Sequence, residues 1–396
     1  DIEGEALEKL IFKNIRDLLI RAMAVTPLMI VIEDLHWADL SSIELLESLF
    51  RLAGSHPIVF INVFRPNHPE TGDRIVASLN EMPSVYCITI RLEPLTAELG
   101  EILINNMLNI KGLSHTIIDQ IIERSGGNPF FIEEVVRSFI DEGAVVKSNG
   151  EFRVTEKIER MVIPHTIHNV LMARIDRLDE DTRDLLKTAS VIGRSFFYRI
   201  LTEVAKTIED MDSRLAYLKD VELIRERRRM EELEFLFKHA LAQEAAYESI
   251  LHQKRKDLHL QVAQSIERVF TNRLHEFYGM LSLHYSKGEN YEKAEEYLIK
   301  AGEEALNSSA SSEALYYYQE ALNLYLKNYG HTADAAKVAM LEKNIAIALH
   351  NRGQFVEALE YFDKALFFYW GKMPKHQFPL MLKFVNCFFH VLISIY

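Results

Sequence analysis

The chain has 396 residues, of which 48% are hydrophobic and 26% charged; it carries a formal net charge of −13. That length exceeds one ordinary core, so two to four globular domains are expected, and the balance excludes a disordered chain. The acidic excess argues against general nucleic-acid binding, and two distant cysteines, Cys87 and Cys387, exclude a disulfide framework or a cysteine-rich zinc site.

Leu7 to Met23 is an amphipathic helix that leads through Pro27 into the apolar run Leu28–Ile32. Such a run reads as a strand of a parallel sheet, buried on both faces. A helix follows over Leu40–Leu52, starting near Ser41 and Ser42, and further buried strands are expected over Pro57–Phe64 and Val85–Leu92. Strand–helix–strand order at this spacing implies right-handed crossovers in a parallel sheet. From Thr96 the pattern turns helical, with Ala97–Leu108, Ser114–Arg124 and Pro129–Glu142; Gly126-Gly127 separates the last two. Alternation over 144–155 around Asn149-Gly150 is a hairpin signal. Helices at about 166–178, 179–192, 196–207 and 213–223 precede an arginine-rich turn and the short strand Leu233–Phe237. Two readings fit that stretch, a winged-helix domain or a plain helical bundle.

The last third repeats itself. Tyr291-Glu-Lys-Ala294-Glu-Glu-Tyr297 has counterparts in Ser311-Ser-Glu-Ala314-Leu-Tyr-Tyr317 and Phe355-Val-Glu-Ala358-Leu-Glu-Tyr361. Small residues at fixed places let helices approach while an aromatic fills the groove between them, the second-helix signature of tetratricopeptide repeats. The spacing of Ala294, Ala314 and Ala358 is uneven, so the repeats are degenerate. Phe378–Tyr396 is apolar but contains Lys383, Asn386 and His390, and reads as a buried solenoid helix rather than a membrane span. There is no signal peptide and no initiating methionine, and both ends read as cut.

The chemistry concentrates in Leu28-Met-Ile-Val-Ile-Glu33-Asp34-Leu-His36-Trp37-Ala-Asp39. A buried strand ending in two carboxylates delivers acids to the carboxyl edge of a parallel sheet, where doubly wound folds bind ligands. One acid can hold a water of a magnesium shell while the next polarises an attacking water. The same pattern also fits a plain strand end followed by a helix-initiating acid. The full segment resembles the Walker B strand of STAND-type (AAA-like) P-loop NTPases. The branch it resembles is the one in bacterial regulators and in ATPase regions associated with class III adenylate/guanylate cyclases.

By that resemblance Glu33 is associated with magnesium through water, and Asp34 orients the attacking water. Ile58-Val-Phe-Ile-Asn-Val63-Phe64-Arg65 is similar to the family's sensor strand, whose arginine, here Arg65, senses the terminal phosphate. Val63 stands where the family usually has threonine. Gly126-Gly127-Asn128-Pro129 looks like the entry to the lid helix, where the proline packs near adenine; His239, in Phe237-Lys238-His239-Ala240-Leu241, matches a histidine that can reach the phosphates. His36 and Trp37 are expected to anchor the loop after the sheet.

The resemblance thus implies ATP and magnesium as cofactors, and an incomplete parallel-sheet P-loop core followed by all-α lid, winged-helix and tetratricopeptide regions. The expected divisions are 1–95, 96–160, 161–268 and 269–396. It implies exchange between ATP and ADP, a protein partner or regulatory ligand on the repeat arm, oligomerisation on activation, and a cytoplasmic location without membrane or nucleic acid. No Gly-x-x-x-x-Gly-Lys-Ser/Thr turn occurs in the sequence, so this polypeptide is expected to bind ATP weakly or not at all. His-Glu-x-x-His and Gly-x-Ser-x-Gly are also absent, as is an aspartate pair in the order of a cyclase domain. Two other readings stand beside the ATP-dependent signalling switch. One is an interaction scaffold with a vestigial ATPase core. The other is a winged-helix transcription activator using the patch Arg225, Arg227, Arg228 and Arg229.

Overall fold

The computed structural model describes residues 5–108, 113–148, 151–229 and 232–370. Among the described residues helix dominates, with three small sheets, and the chain divides into two compact units. The first comprises residues 1–89, 275–286 and 290–396; the second comprises 90–274 and 287–289. The apolar run 378–396 and the Asn149-Gly150 turn lie outside the described residues.

In the first unit α1 (Glu5–Met23) leads to β1 (Leu28–Ile32), α2 (Leu40–Phe50), β2 (Ile58–Asn62) and α3 (Gly72–Asn80). β1 and β2 pair in parallel, Leu28 opposite Ile58 and Ile32 opposite Asn62. One face of the pair packs inward: Leu28, Ile30 and Phe60 join Met23, Leu49, Leu52 and Ile58, and the Phe50 and Phe60 rings meet edge-on at 5.2 Å. The opposite face bears Met29, Val31, Val59 and Ile61, all exposed. Alternation puts each set on its own side, because successive side chains of a strand point in opposite directions.

The expected third strand, Val85–Leu92, is not a strand: the residues lack ladder pairing, and Tyr86, Ile88, Ile90 and Leu92 are exposed. A β-rich sequence becomes a strand only when a partner edge offers its N–H and C=O groups, and the sheet among the described residues has two members.

The second unit begins with α4 (Ala97–Leu108), α5 (His115–Ser125) and α6 (Pro129–Asp141). The antiparallel hairpin of β3 (Val145–Ser148) and β4 (Glu151–Val154) closes over a core containing Ile121, Ile132, Val135 and Phe139. Next come α7 (Ile167–Asp176), α8 (Glu180–Ile192), β5 (Ser195–Phe197), α9 (Tyr198–Val204) and α10 (Met211–Asp220). β6 (Ile224–Arg229), β7 (Glu232–Phe237), α11 (Ala240–Glu248) and α12 (His252–Val269) complete it. The sheet order is β5-β7-β6, antiparallel throughout. The arginine-rich segment is therefore strand β6 rather than a turn, and Arg227 Nε donates to buried Glu234 across the ladder at 2.5 Å. Cross-strand opposite charges stabilise a pairing that the charge run alone disguises.

Back in the first unit, α13 (Tyr278–Lys287) is followed by α14 (Tyr291–Asn307), α15 (Ser311–Tyr329), α16 (Ala335–Asn351) and α17 (Phe355–Trp370). The uneven motif spacing has a physical cause, for α14 packs on both neighbours. Tyr297 stacks on Tyr285 of α13 with planes 2° apart, while a Cβ on Gly302 would lie 2.7 Å from the Tyr318 ring of α15. One long helix serves two hairpins.

Candidate functional site

β1 ends at Ile32, and the chain turns sharply at Asp34, which takes a left-handed conformation (φ 57°, ψ 30°). Aspartate tolerates that region better than most residues, and such positions concentrate at functional turns. Two backbone hydrogen bonds hold the turn beside the following strand: Val63 N–H donates to Ile32 O at 2.8 Å and Leu35 N–H to Val63 O at 3.1 Å. Glu33 and Asp34 thereby stand at the same carboxyl end of the parallel pair as Arg65. Glu33 and Arg65 are exposed and Asp34 is half-buried. His36 is buried beneath the turn, where Nδ1 accepts from Arg65 N–H at 3.4 Å; its ring lies 4.7 Å from that of Trp37 and 5.1 Å from that of His68. His68 carries no sequence signal, since a lone histidine in a loop has no period to reveal it.

The other two expected residues lie in the second unit. Gly126 and Gly127 both take positive φ (55° and 76°) ahead of α6. A Cβ on Gly127 would lie 2.3 Å from Leu95 O, while Gly127 O accepts from Leu95 N–H at 2.8 Å, so the turn admits only glycine there. Asn128 caps α6 by accepting from the Phe130 and Phe131 N–H groups at 3.0 and 3.3 Å, and Pro129 occupies the first turn, exposed.

His239 precedes α11, and its ring lies tilted against that of Phe130, centroids 3.9 Å apart and planes at 38°. Burial, reinforced by Lys238, Arg225, Arg137 and Arg174, pushes its pKa down to about 4, so the imidazole is neutral at pH 7. Phe130 therefore links Pro129 and His239 in one cluster; an aromatic after a helix-start proline reads in sequence as core, which hid this role.

Behind that cluster runs a charged network. Glu134 of α6 and Arg174 of α7, both almost fully buried, form an ion pair, and Arg174 Nη2 donates to Val221 O at 2.7 Å. Arg137 pairs with Glu222 at 2.7 Å and Lys238 pairs with the same carboxylate, the latter contact leading the causes that hold Glu222 below the usual carboxylate range. These bonds tie the middle of α6 to α7, and through Glu222 to Lys238 just past β7.

Among the described residues, no three acidic, histidine or cysteine side chains gather to hold a metal ion, and no helix is long and apolar enough to cross a membrane.

A family described as a domain of unknown function (DUF8739) matches residues 97–153, the segment from α4 to the hairpin. An uncharacterized protein of Rhizobium meliloti (strain 1021) is 23% identical over 323 residues, which cover 80% of this chain and 30% of that protein. The chain thus spans less than a third of that relative's length. Among solved structures, similarity is found to a signal transduction ATPase with numerous domains (STAND) carrying a tetratricopeptide repeat sensor, from Pyrococcus horikoshii. Its identity is 16%, its TM-score 0.40, and the match covers 90% of this chain and 64% of that one.

Proposed function

We propose that the chain is part of an ATP-dependent signalling switch of the STAND type, in which the β1 strand end is the hydrolytic edge. The observation carrying the reading is the segment 28–39: an apolar parallel strand that ends in adjacent carboxylates, beside a second strand that ends in an arginine. Magnesium ATP supplies a reactive phosphoanhydride when bound. The residues present suit part of such a ligand. Magnesium keeps several waters and is usually held through one or two carboxylates and the phosphates rather than by a closed protein cage, which matches an exposed Glu33 without a three-ligand cluster among the described residues.

In this reading Glu33 would hold magnesium through water, Asp34 would orient the attacking water, and the ion would supply charge neutralisation at the phosphates. Arg65 answers charge on the terminal phosphate, with its backbone steadied by His36. In the second unit Pro129 keeps the adenine-side role, and His239, neutral beside Phe130, the phosphate-side role that the family resemblance implies.

The backbone amides and lysine that cradle the phosphates are not encoded within these residues. The exposed apolar face of Met29, Val31, Val59 and Ile61 supports their arrival with a further strand and helix, since parallel sheets are covered on both faces. Regulation of an attached effector, such as a nucleotide cyclase, and a partner on the repeat helices belong to the same proposal.

The test reads the coding frame upstream of Asp1 and assays the polypeptide it encodes. A Gly-x-x-x-x-Gly-Lys-Ser/Thr turn ahead of residue 1 is expected, together with ATP hydrolysis that Asp34→Asn lowers by roughly a hundredfold or more while ATP binding persists. A frame without that turn, or hydrolysis indifferent to Asp34→Asn, overturns the switch and leaves the interaction scaffold.

A further inference from the structure

Within the first unit, α2 draws its N-terminal cap from two sources. An α-helix leaves its first N–H groups without partners inside the helix. Asp39, the residue before α2, accepts from Ser42 N–H at 2.7 Å and from Ser42 Oγ–H at 2.9 Å. The Ser41 N–H goes to a residue 272 positions away. It donates at 3.0 Å to one oxygen of Glu313, in the first turn of α15, and the Ser41 hydroxyl donates to the other oxygen. The charge of the carboxylate strengthens both bonds, and the dipole of α2 favours an anion at that end. One turn further along α2, Ser312 Oγ donates to Glu44 at 3.1 Å, and Arg352, just past α16, lies 3.7 Å from the same carboxylate. Arg74 of α3 grips the helix beyond that point, by a fork to Glu47 at 2.7 and 3.0 Å.

The turn that joins β1 to α2 carries Asp34. Its strand end is pinned by the backbone bonds of Val63 to Ile32 and of Leu35 to Val63. Its helix end is pinned by the caps from Asp39 and Glu313. Between them, Leu35–Trp37 form a single tight helical turn and Ala38 and Asp39 are extended. The left-handed conformation of Asp34 persists only where the surroundings over-determine it. With the helix end released, Asp34 relaxes toward the ordinary right-handed or extended regions, which re-aims its carboxylate.

We propose that Glu313 is a positioning residue for the β1 edge: from the repeat helices it caps α2 and thereby holds Asp34 in place. The inference rests on the reading of that edge as hydrolytic, and it makes the seating of α15 a determinant of turnover.

Residue-resolved hydrogen exchange of the 396-residue chain reads the mechanical step. Glu313→Ala is expected to speed exchange of Ser41 N–H and Leu35 N–H by about tenfold, the size of a lost helix cap, while amides within the β1–β2 ladder keep their rates. Glu313→Gln still offers a carbonyl to Ser41 N–H and should restore most of the protection. Ser41→Ala, made on the α2 side so that the repeat helices are untouched, should loosen Leu35 by about threefold. In the longer polypeptide assayed for ATP hydrolysis, Glu313→Ala should lower kcat by about tenfold with KM nearly unchanged, and Glu313→Gln should recover it. If Ser41 is unmoved, or is released while Leu35 stays protected, the cap does not position the turn and the proposal is overturned. A parent polypeptide that hydrolyses ATP and is indifferent to Glu313→Ala overturns this proposal alone. A parent without hydrolysis overturns the hydrolytic reading of the edge and this role with it.

Discussion

Replacing Glu134 by alanine removes the partner of a guanidinium that has almost no contact with water. The side chains of Arg174 and Glu134 are 5% and 4% exposed. Breaking a buried ion pair from one side typically costs 3–5 kcal/mol, because the remaining charge stays desolvated. Arg174 keeps Val221 O at 2.7 Å and Asp141 at 3.5 Å, which places the expected loss near the lower end, about 3 kcal/mol, or roughly 150-fold in the equilibrium for local opening. The paired replacement Glu134→Leu with Arg174→Met removes both charges and keeps the volume; it should cost less than about 1 kcal/mol relative to the parent. Because the chain holds two compact units, global melting is a poor gauge, and hydrogen exchange of amides in α6 and α7 reads the local free energy. A Glu134→Ala loss under about 1 kcal/mol, or a double variant weaker than the single, would refute the claim that this pair holds α6, and with it Pro129 and Phe130, in place.

Gly302→Ala sets a helix-propensity gain of up to about 1 kcal/mol against a Cβ driven into the Tyr318 ring, an overpacking cost of about 1–3 kcal/mol; the net should be a loss of about 1 kcal/mol. In a Tyr318→Ala background the ring is gone and the sign should invert, which exchange across α14 and α15 checks. The depressed pKa of His239 and of His259, each about 4 with burial as the leading cause, predicts acid lability in the second unit. The unfolded chain takes up these protons more readily below about 6.5, so stability is complete above that value and falls as pH drops toward 4. Denaturation against pH should show the slope, and His239→Gln with His259→Gln should flatten it.

Elements whose pattern is self-contained were legible in the sequence. The run 28–32 forms β1 over the residues expected, α4 spans 97–108, and α6 begins at Pro129, because hydrophobic period, capping residue and proline all act within a few residues of themselves. Glu33, Asp34 and Arg65 were nameable for the same reason: each follows an apolar strand that fixes where its side chain emerges. The sequence also read 85–92 as a strand, yet a strand depends on a neighbouring edge, and local propensity contains no information about that edge. Arg225 to Arg229 read as a turn for the complementary reason, since the carboxylate of Glu234 that makes β6 tolerable sits on another strand. Tertiary structure alone set Phe130 against His239, put Gly302 under Tyr318, and brought Glu313 onto the cap of α2. Those contacts join residues far apart in the chain through shape and charge, quantities that a linear pattern does not carry.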